Sequence, residues 1–337
     1  MWGEALTVIP RVDKERWEKL DIISKWLIST RAAVLIMTLL SAAIGGILAY
    51  MDRTAHGHKF DFHLLVICVL GLVMAHAANN ILNDIVDHFK GVDKGNYYRA
   101  QYGPQPLEHG LMSFRELFIY FFITGFIAFT AGVYLVFLTG WTTLWLFAAG
   151  SFFLLFYTWP LKYFGLGEIA VVIVWGPLMI GGTYFVCSGA WSWQACLISL
   201  PYALGVTTVL FGKHIDKLEQ DKAKKVRTLP VIIGEKASRY SVIMMMALQY
   251  GIAFYLVFCG YLALALTAFS LNMFVAVAGV YLKKKPETEP ENYPKNTWPL
   301  YFVAYAFQHN KRFGLLFFGA LLVQAFLVPF IRHACGG

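Results

Sequence analysis

"LLVICVLGLVMAHAANNILNDIVDHFKGVD", residues 64–93, is apolar from Leu64 to Ala78 except for His76, and then fills with amides and carboxylates. The apolar part suits a helix crossing a bilayer, which takes roughly 20 residues at about 1.5 Å each. If the helix continues, Asn80, Asn83, Asp84 and Asp87 fall at i, i+3, i+4 and i+7 and share one stripe. Gly91 then lets the chain turn back and bring Asp93 towards them. Carboxylates gathered at a membrane edge repel one another unless a cation or a set of donors neutralises them. Carboxylates with amides among them are hard oxygen donors, the kind Mg²⁺ takes before completing its shell with water and phosphate oxygens.

The whole chain supports a membrane reading. Of its 337 residues 58% are hydrophobic and only 14% charged, with a mean hydropathy of +0.58; soluble domains carry about 25% charge. Nine stretches are long and apolar enough to span, near 32–50, 62–82, 115–138, 141–159, 168–188, 193–212, 240–259, 260–282 and 314–331. With the N-terminus inside, 25 of the 28 Lys and Arg fall in cytoplasmic segments, leaving Arg53, Lys59 and Arg332 outside. Positive charge accumulates on the cytoplasmic side. The expected fold is therefore an all-α polytopic membrane protein with about nine transmembrane helices, N-in and C-out. The net charge of +8 sits mostly on the cytoplasmic face and requires no nucleic-acid partner.

Residues 1–31 lack the apolar core of a cleaved signal and form a separate N-terminal segment. Within it "KERWEKLDIISKWLI" (14–28) reads as an interfacial amphipathic helix anchored by Trp17 and Trp26. Cys68, Cys187, Cys196, Cys259 and Cys335 stand singly, without metal-ligand spacing, and read as packing residues. His76, His214 and His309 have no ligand-spaced partner and read as polar packing residues. The Pro-rich stretch at 283–314 reads as a solvated linker leading into an interfacial helix.

A second polar loop, "GKHIDKLEQDKAKKVRTLPVIIGEKASR" (212–239), mixes Asp216, Glu219 and Asp221 with Lys213, Lys217, Lys222, Lys224, Lys225 and Arg227. Acids among so many cations suit a polyanion held by Mg²⁺ on one side and by Lys and Arg on the other. A diphosphate on a lipid tail fits, with its head at the loops and its chain among the helices. Loss of the diphosphate would leave an allylic cation, which aromatic faces can shield by about 0.5–2 kcal/mol each.

The sequence resembles the UbiA superfamily of intramembrane prenyltransferases, most closely the 1,4-dihydroxy-2-naphthoate polyprenyltransferases of menaquinone synthesis. "NNILNDIVDHFKGVD" (79–93) is similar to the first Asp-rich motif. "YGPQPLEHGLMS" (102–113) and "YTWPLKYFGLGEIAVVIVWGPLMIGGTYFV" (157–186) resemble the family stretches that follow, and "DKAKKVRTLPVIIG" (221–234) the end of the second motif. The resemblance implies a domain over 32–335 whose helices surround a central, lipid-accessible cavity. It implies one Mg²⁺ on Asn80, Asp84, Asp87 and Asp93, and a second on Asp216 and Asp221. Tyr157 would gate the reactive carbon, and Asn83, Lys162, Lys213, Lys225 and Arg227 would bind the diphosphate. The implied activity is Mg²⁺-dependent transfer of a polyprenyl group to an aromatic quinone precursor, with membrane lipid around the chain. The implied location is a bacterial or archaeal cytoplasmic membrane, with the site on the cytoplasmic side.

The chain departs from the family pattern in places. Lys217 stands where the second motif would carry an Asp, and Asp216 and Asp221 are five apart, pointing about 140° from each other on an ideal helix. Gln105 and Pro106 stand where an Arg is common. Two other readings share parts of this evidence: a cyclase or a transferase to a lipid alcohol, with the same ionisation step, and a non-catalytic transporter or lipid-binding scaffold.

Overall fold

In the computed structural model, which describes residues 1–7, 9–56, 59–92, 94–95, 103–291, 293 and 297–334, two aspartates divide the N-terminal segment. Asp13 caps α2 (Lys14–Glu18) and Asp21 caps α3 (Ile22–Ser29), accepting from Arg16 N at 2.8 Å and Ser24 N at 2.9 Å. These two replace the single helix expected over 14–28, and α1 (Trp2–Thr7) precedes them.

The long helices follow. Seven, of 20–28 residues, are long and apolar enough to cross a membrane among the described residues, as expected of an integral membrane protein. They are α4 (Ala32–His56), α5 (Phe62–Phe89), α6 (Phe114–Thr139), α8 (Gly167–Ser188), α9 (Trp193–Asp216), α12 (Glu235–Phe258) and α13 (Leu262–Tyr281). The apolar α7 (Trp141–Phe156) is shorter. The last helix, α14 (Phe302–Ala334), is longest but carries "QHNKR" at 308–312. Between them lie the 3-10 turn Leu161–Phe164, α10 (Leu218–Ala223) and α11 (Leu229–Ile233).

Helix α9 is the hub, packed against α8, α12 and α14, while α5 lies along α6. Ile44, Ile180, Ile198, Tyr202, Phe313 and Phe317 fill one core cluster. Lipid tails are as apolar as these side chains, so close packing rather than dehydration holds the bundle. Gly45 permits that closeness: a Cβ there would sit 2.5 Å from Ile180 O. Helix α8 breaks at Gly176, which is non-helical, before Pro177, which has no N–H to donate. The break turns Trp175 onto His76, ring to ring at 5.2 Å.

Two expectations change. Trp17 does not face lipid: it is buried with Ile28, Leu35, Ile81 and Leu117. Trp26 donates to Thr124 Oγ1 at 2.8 Å. The amphipathic face found protein partners on α4, α5 and α6. The stretch before α14 is likewise not a simple solvated linker, since Tyr293 and Tyr301 are buried and the Lys285 ammonium lies 5.0 Å from the Trp298 ring centre. Asp216 explains this strap. Its carboxylate accepts from Phe302 N and Val303 N, both at 3.0 Å, and lies 3.6 Å from Lys285 Nζ. A carboxylate at a helix N-terminus answers unpaired N–H groups and the positive end of the dipole.

Candidate active site

The polar stripe of α5 continues its helix as the spacing predicts, and each member has a defined neighbour. Asn80 donates to Thr30 O at 2.8 Å and Asn83 to Thr158 Oγ1 at 3.0 Å. The buried Asp84 is paired with Arg31. Asp87, equally buried, receives Lys162 Nζ at 2.7 and 3.0 Å on its two oxygens. Lys162 reaches it from the turn Leu161–Phe164, and Arg31 from the joint between α3 and α4, where its φ of 54° is left-handed. Buried carboxylates are thus neutralised, Asp87 by a buried ammonium and Asp84 by a half-buried guanidinium.

The second loop meets the first at the same end of the bundle. Lys224 Nζ donates to Gly91 O and Lys94 O, both at 3.0 Å. The acids of this loop do not gather, however. Asp216 ends α9 and faces α14, as described, and Asp221 belongs to α10, where it accepts from Lys217 Nζ at 2.9 Å. The chain bends between them at Lys217 (φ −116°, ψ 21°). The expected pairing of Asp216 with Asp221 is therefore not found in this geometry. Lys225 and Arg227 are exposed, outside the cavity wall. Asp93, Tyr102 and Cys335 lie outside the described residues.

A cavity of about 900 Å³ joins these elements. Its polar end is lined by Arg31, Asn80, Asn83, Lys162, Lys213 and Lys217, with Tyr157 and His214 beside them. The rest is apolar. Phe122, Phe126 and Phe129 of α6 line it while remaining 59%, 55% and 54% exposed on the outside. Gly150 of α7 lines it too, with open space where a side chain would be. Ligand pockets run about 300–1,000 Å³, so the volume suits one large apolar molecule with a charged head.

Several contributors do not stand out in the sequence. Arg31 looks there like ordinary cytoplasmic-side charge. Glu168, within "GLGE", is buried and bonded to His214 Nδ1 at 2.6 Å, so His214 is part of a polar pair at the cavity rather than a lone packing residue. Thr158 orients Asn83. Ile9, from the N-terminal segment, also lines the cavity.

Whether these residues suit a divalent ion differs between the two motifs. No three His, Cys, Asp or Glu side chains converge among the described residues. On α5, Asn80, Asn83, Asp84 and Asp87 offer hard oxygen donors on one face, which fits Mg²⁺. In the second loop one acid, Asp221, remains, and it is paired with Lys217; a single carboxylate offers too few donors for Mg²⁺.

Helices long and apolar enough to cross a membrane, around a largely apolar cavity with Arg31, Lys162, Lys213 and Lys217 in its wall, define an integral membrane protein with room for a large apolar ligand. The chain belongs to the UbiA prenyltransferase family, whose sequence pattern matches residues 39–304. It is 28% identical over 235 residues to the chicken "UbiA prenyltransferase domain-containing protein 1", a match covering 66% of this chain and 64% of that protein. It is 27% identical over 227 residues to the 1,4-dihydroxy-2-naphthoate octaprenyltransferase of Haemophilus influenzae, covering 64% and 71%. Among solved structures, a UbiA homologue from Archaeoglobus fulgidus bound to DMAPP and Mg²⁺ shares the fold with a TM-score of 0.55, at 16% identity and coverage of 89% and 99%.

Proposed function

We propose that this chain transfers a prenyl group from an isoprenoid diphosphate to an aromatic quinone precursor, a 1,4-dihydroxynaphthoate in the first instance. The observation that carries this reading is the cavity whose cationic and amide-lined mouth leads into an apolar tunnel. The Haemophilus relative acts on such a naphthoate by its name.

Asn80, Asp84 and Asp87, with Asn83 on the same helix face, would hold Mg²⁺, and the family resemblance adds Asp93 to that set. When bound, the ion neutralises charge on the departing diphosphate. Arg31 and Lys162, now on Asp84 and Asp87, turn to phosphate oxygens when the donor enters, and Lys213 joins them from α9. These groups stabilise the charge that builds on the leaving group. The bond between the prenyl carbon and the diphosphate oxygen breaks, its electron pair leaving with the oxygen. Tyr157 faces the cation so formed, which its ring stabilises. A ring carbon of the acceptor supplies the electrons for the new C–C bond and then loses a proton.

Seven spans joined by α7 and α14 support nine crossings. The charge count supports an N-terminus and a site on the cytoplasmic side of a bacterial or archaeal membrane. Incubation with labelled geranylgeranyl diphosphate and Mg²⁺, with and without 1,4-dihydroxy-2-naphthoate, tests the function. A prenylated product that needs the acceptor is expected; diphosphate release that ignores the acceptor would identify a cyclase instead.

A further inference from the structure

We infer that the second half of the diphosphate site holds no metal, and that the Lys217 ammonium binds the diphosphate where a second ion was expected. This rests on the diphosphate reading above.

Each acid near the second motif is already committed. Asp216 caps α14 through the Phe302 and Val303 amides and faces Lys285. Glu168 accepts from His214 and from Leu229 N. Glu219 is exposed. That leaves Asp221, one oxygen of which accepts from Lys217 at 2.9 Å while the other, though buried, has no hydrogen-bond partner among the described residues. Asp84 and Asp87 are paired with cations too, but two carboxylates and two amides share their helix face; a divalent cation on Asp221 would have a single carboxylate to set against the neighbouring ammonium.

Charge balance points the same way. A carboxylate carrying a divalent ion and a single ammonium have the same net positive charge. A Lys in place of an Asp therefore supplies, without metal, the field that the Asp and its ion would supply together. Lys217 is also well placed to do so, since it lines the cavity with Lys213, Arg31 and Lys162. An ammonium has three N–H donors; Asp221 takes one and fixes its direction, and two can meet phosphate oxygens.

The test counts metal ions rather than turnover. The purified chain is titrated with Mn²⁺ in the presence of geranylgeranyl thiolodiphosphate, an analogue slow to ionise, and bound Mn²⁺ is read from the loss of the free-ion EPR signal. The analogue should bind with one Mn²⁺ per chain. Lys217→Asp should take up a second, and Lys217→Ala should keep one ion while weakening analogue binding by about tenfold, the loss of one charge-assisted contact. Two Mn²⁺ ions on the unaltered chain would overturn the inference alone. No binding of the analogue by the unaltered chain would overturn the diphosphate reading, and the inference with it.

Discussion

Lys162 Nζ sits 2.7 and 3.0 Å from the two carboxylate oxygens of Asp87, and only 5% and 1% of the two side chains is exposed. Removing one member of such a pair strands the other. Asp87→Ala should cost about 3–5 kcal/mol through the buried ammonium left behind and should abolish turnover. Adding Lys162→Met to that variant should recover most of the stability and none of the activity. Melting curves in detergent, beside the transfer assay, separate the two losses. Activity in Asp87→Ala would remove this residue from the proposed ion site.

Arg31 holds a left-handed φ and an ion pair with Asp84 at once, so two substitutions resolve its roles. Both Arg31→Gly and Arg31→Ala lose the charge, but glycine alone accepts the backbone freely, a difference of about 1 kcal/mol. The glycine variant should melt higher than the alanine variant. Both should raise KM for the donor equally.

Gly150 faces the tunnel, and a Cβ added there would meet nothing within 4 Å. Gly150→Leu should fold normally, leucine being the better helix former by several tenths of a kcal/mol. It should lower kcat/KM for geranylgeranyl diphosphate at least about tenfold while leaving a five-carbon donor nearly unaffected. Equal effects on both donors would show that the tail does not pass this point.

Asp216→Asn retains a capping oxygen but loses the charge facing Lys285. The expected result is a stability loss of about 1 kcal/mol with the Mn²⁺ count unchanged. A drop in bound metal would return Asp216 to the ion site.

The first motif is legible because one helix carries it. The period that aligns Asn80, Asn83, Asp84 and Asp87 needs no tertiary information. The second is not, because Asp216 and Asp221 lie on different helices, and nothing in "HIDKLEQD" announces the bend at Lys217. The seven long spans follow from hydropathy, but the polar run at 308–312 hides the first third of α14, whose start is set by a carboxylate 86 residues earlier. An amphipathic face likewise predicts burial without naming what covers it, which is why the pattern points Trp17 at lipid while the fold sets it against protein.

That same contact gives the N-terminal segment a share in the site, since Ile9 lines the cavity and Trp17 packs with α4, α5 and α6. A chain shortened to begin at Asp21, which keeps Arg31 and every acidic residue of both motifs but removes Ile9 and Trp17, should therefore be less stable and less active. Full activity would show the segment to be dispensable covering.

On α6 the partition between the cavity and the outer surface is a single layer of rings, since Phe122, Phe126 and Phe129 line the one and are exposed on the other. Under the proposed function, a prenyl tail in the cavity would be separated from the surroundings by the thickness of one ring. A product leaving between those rings would then diffuse in two dimensions, and an enzyme receiving it would need no soluble carrier.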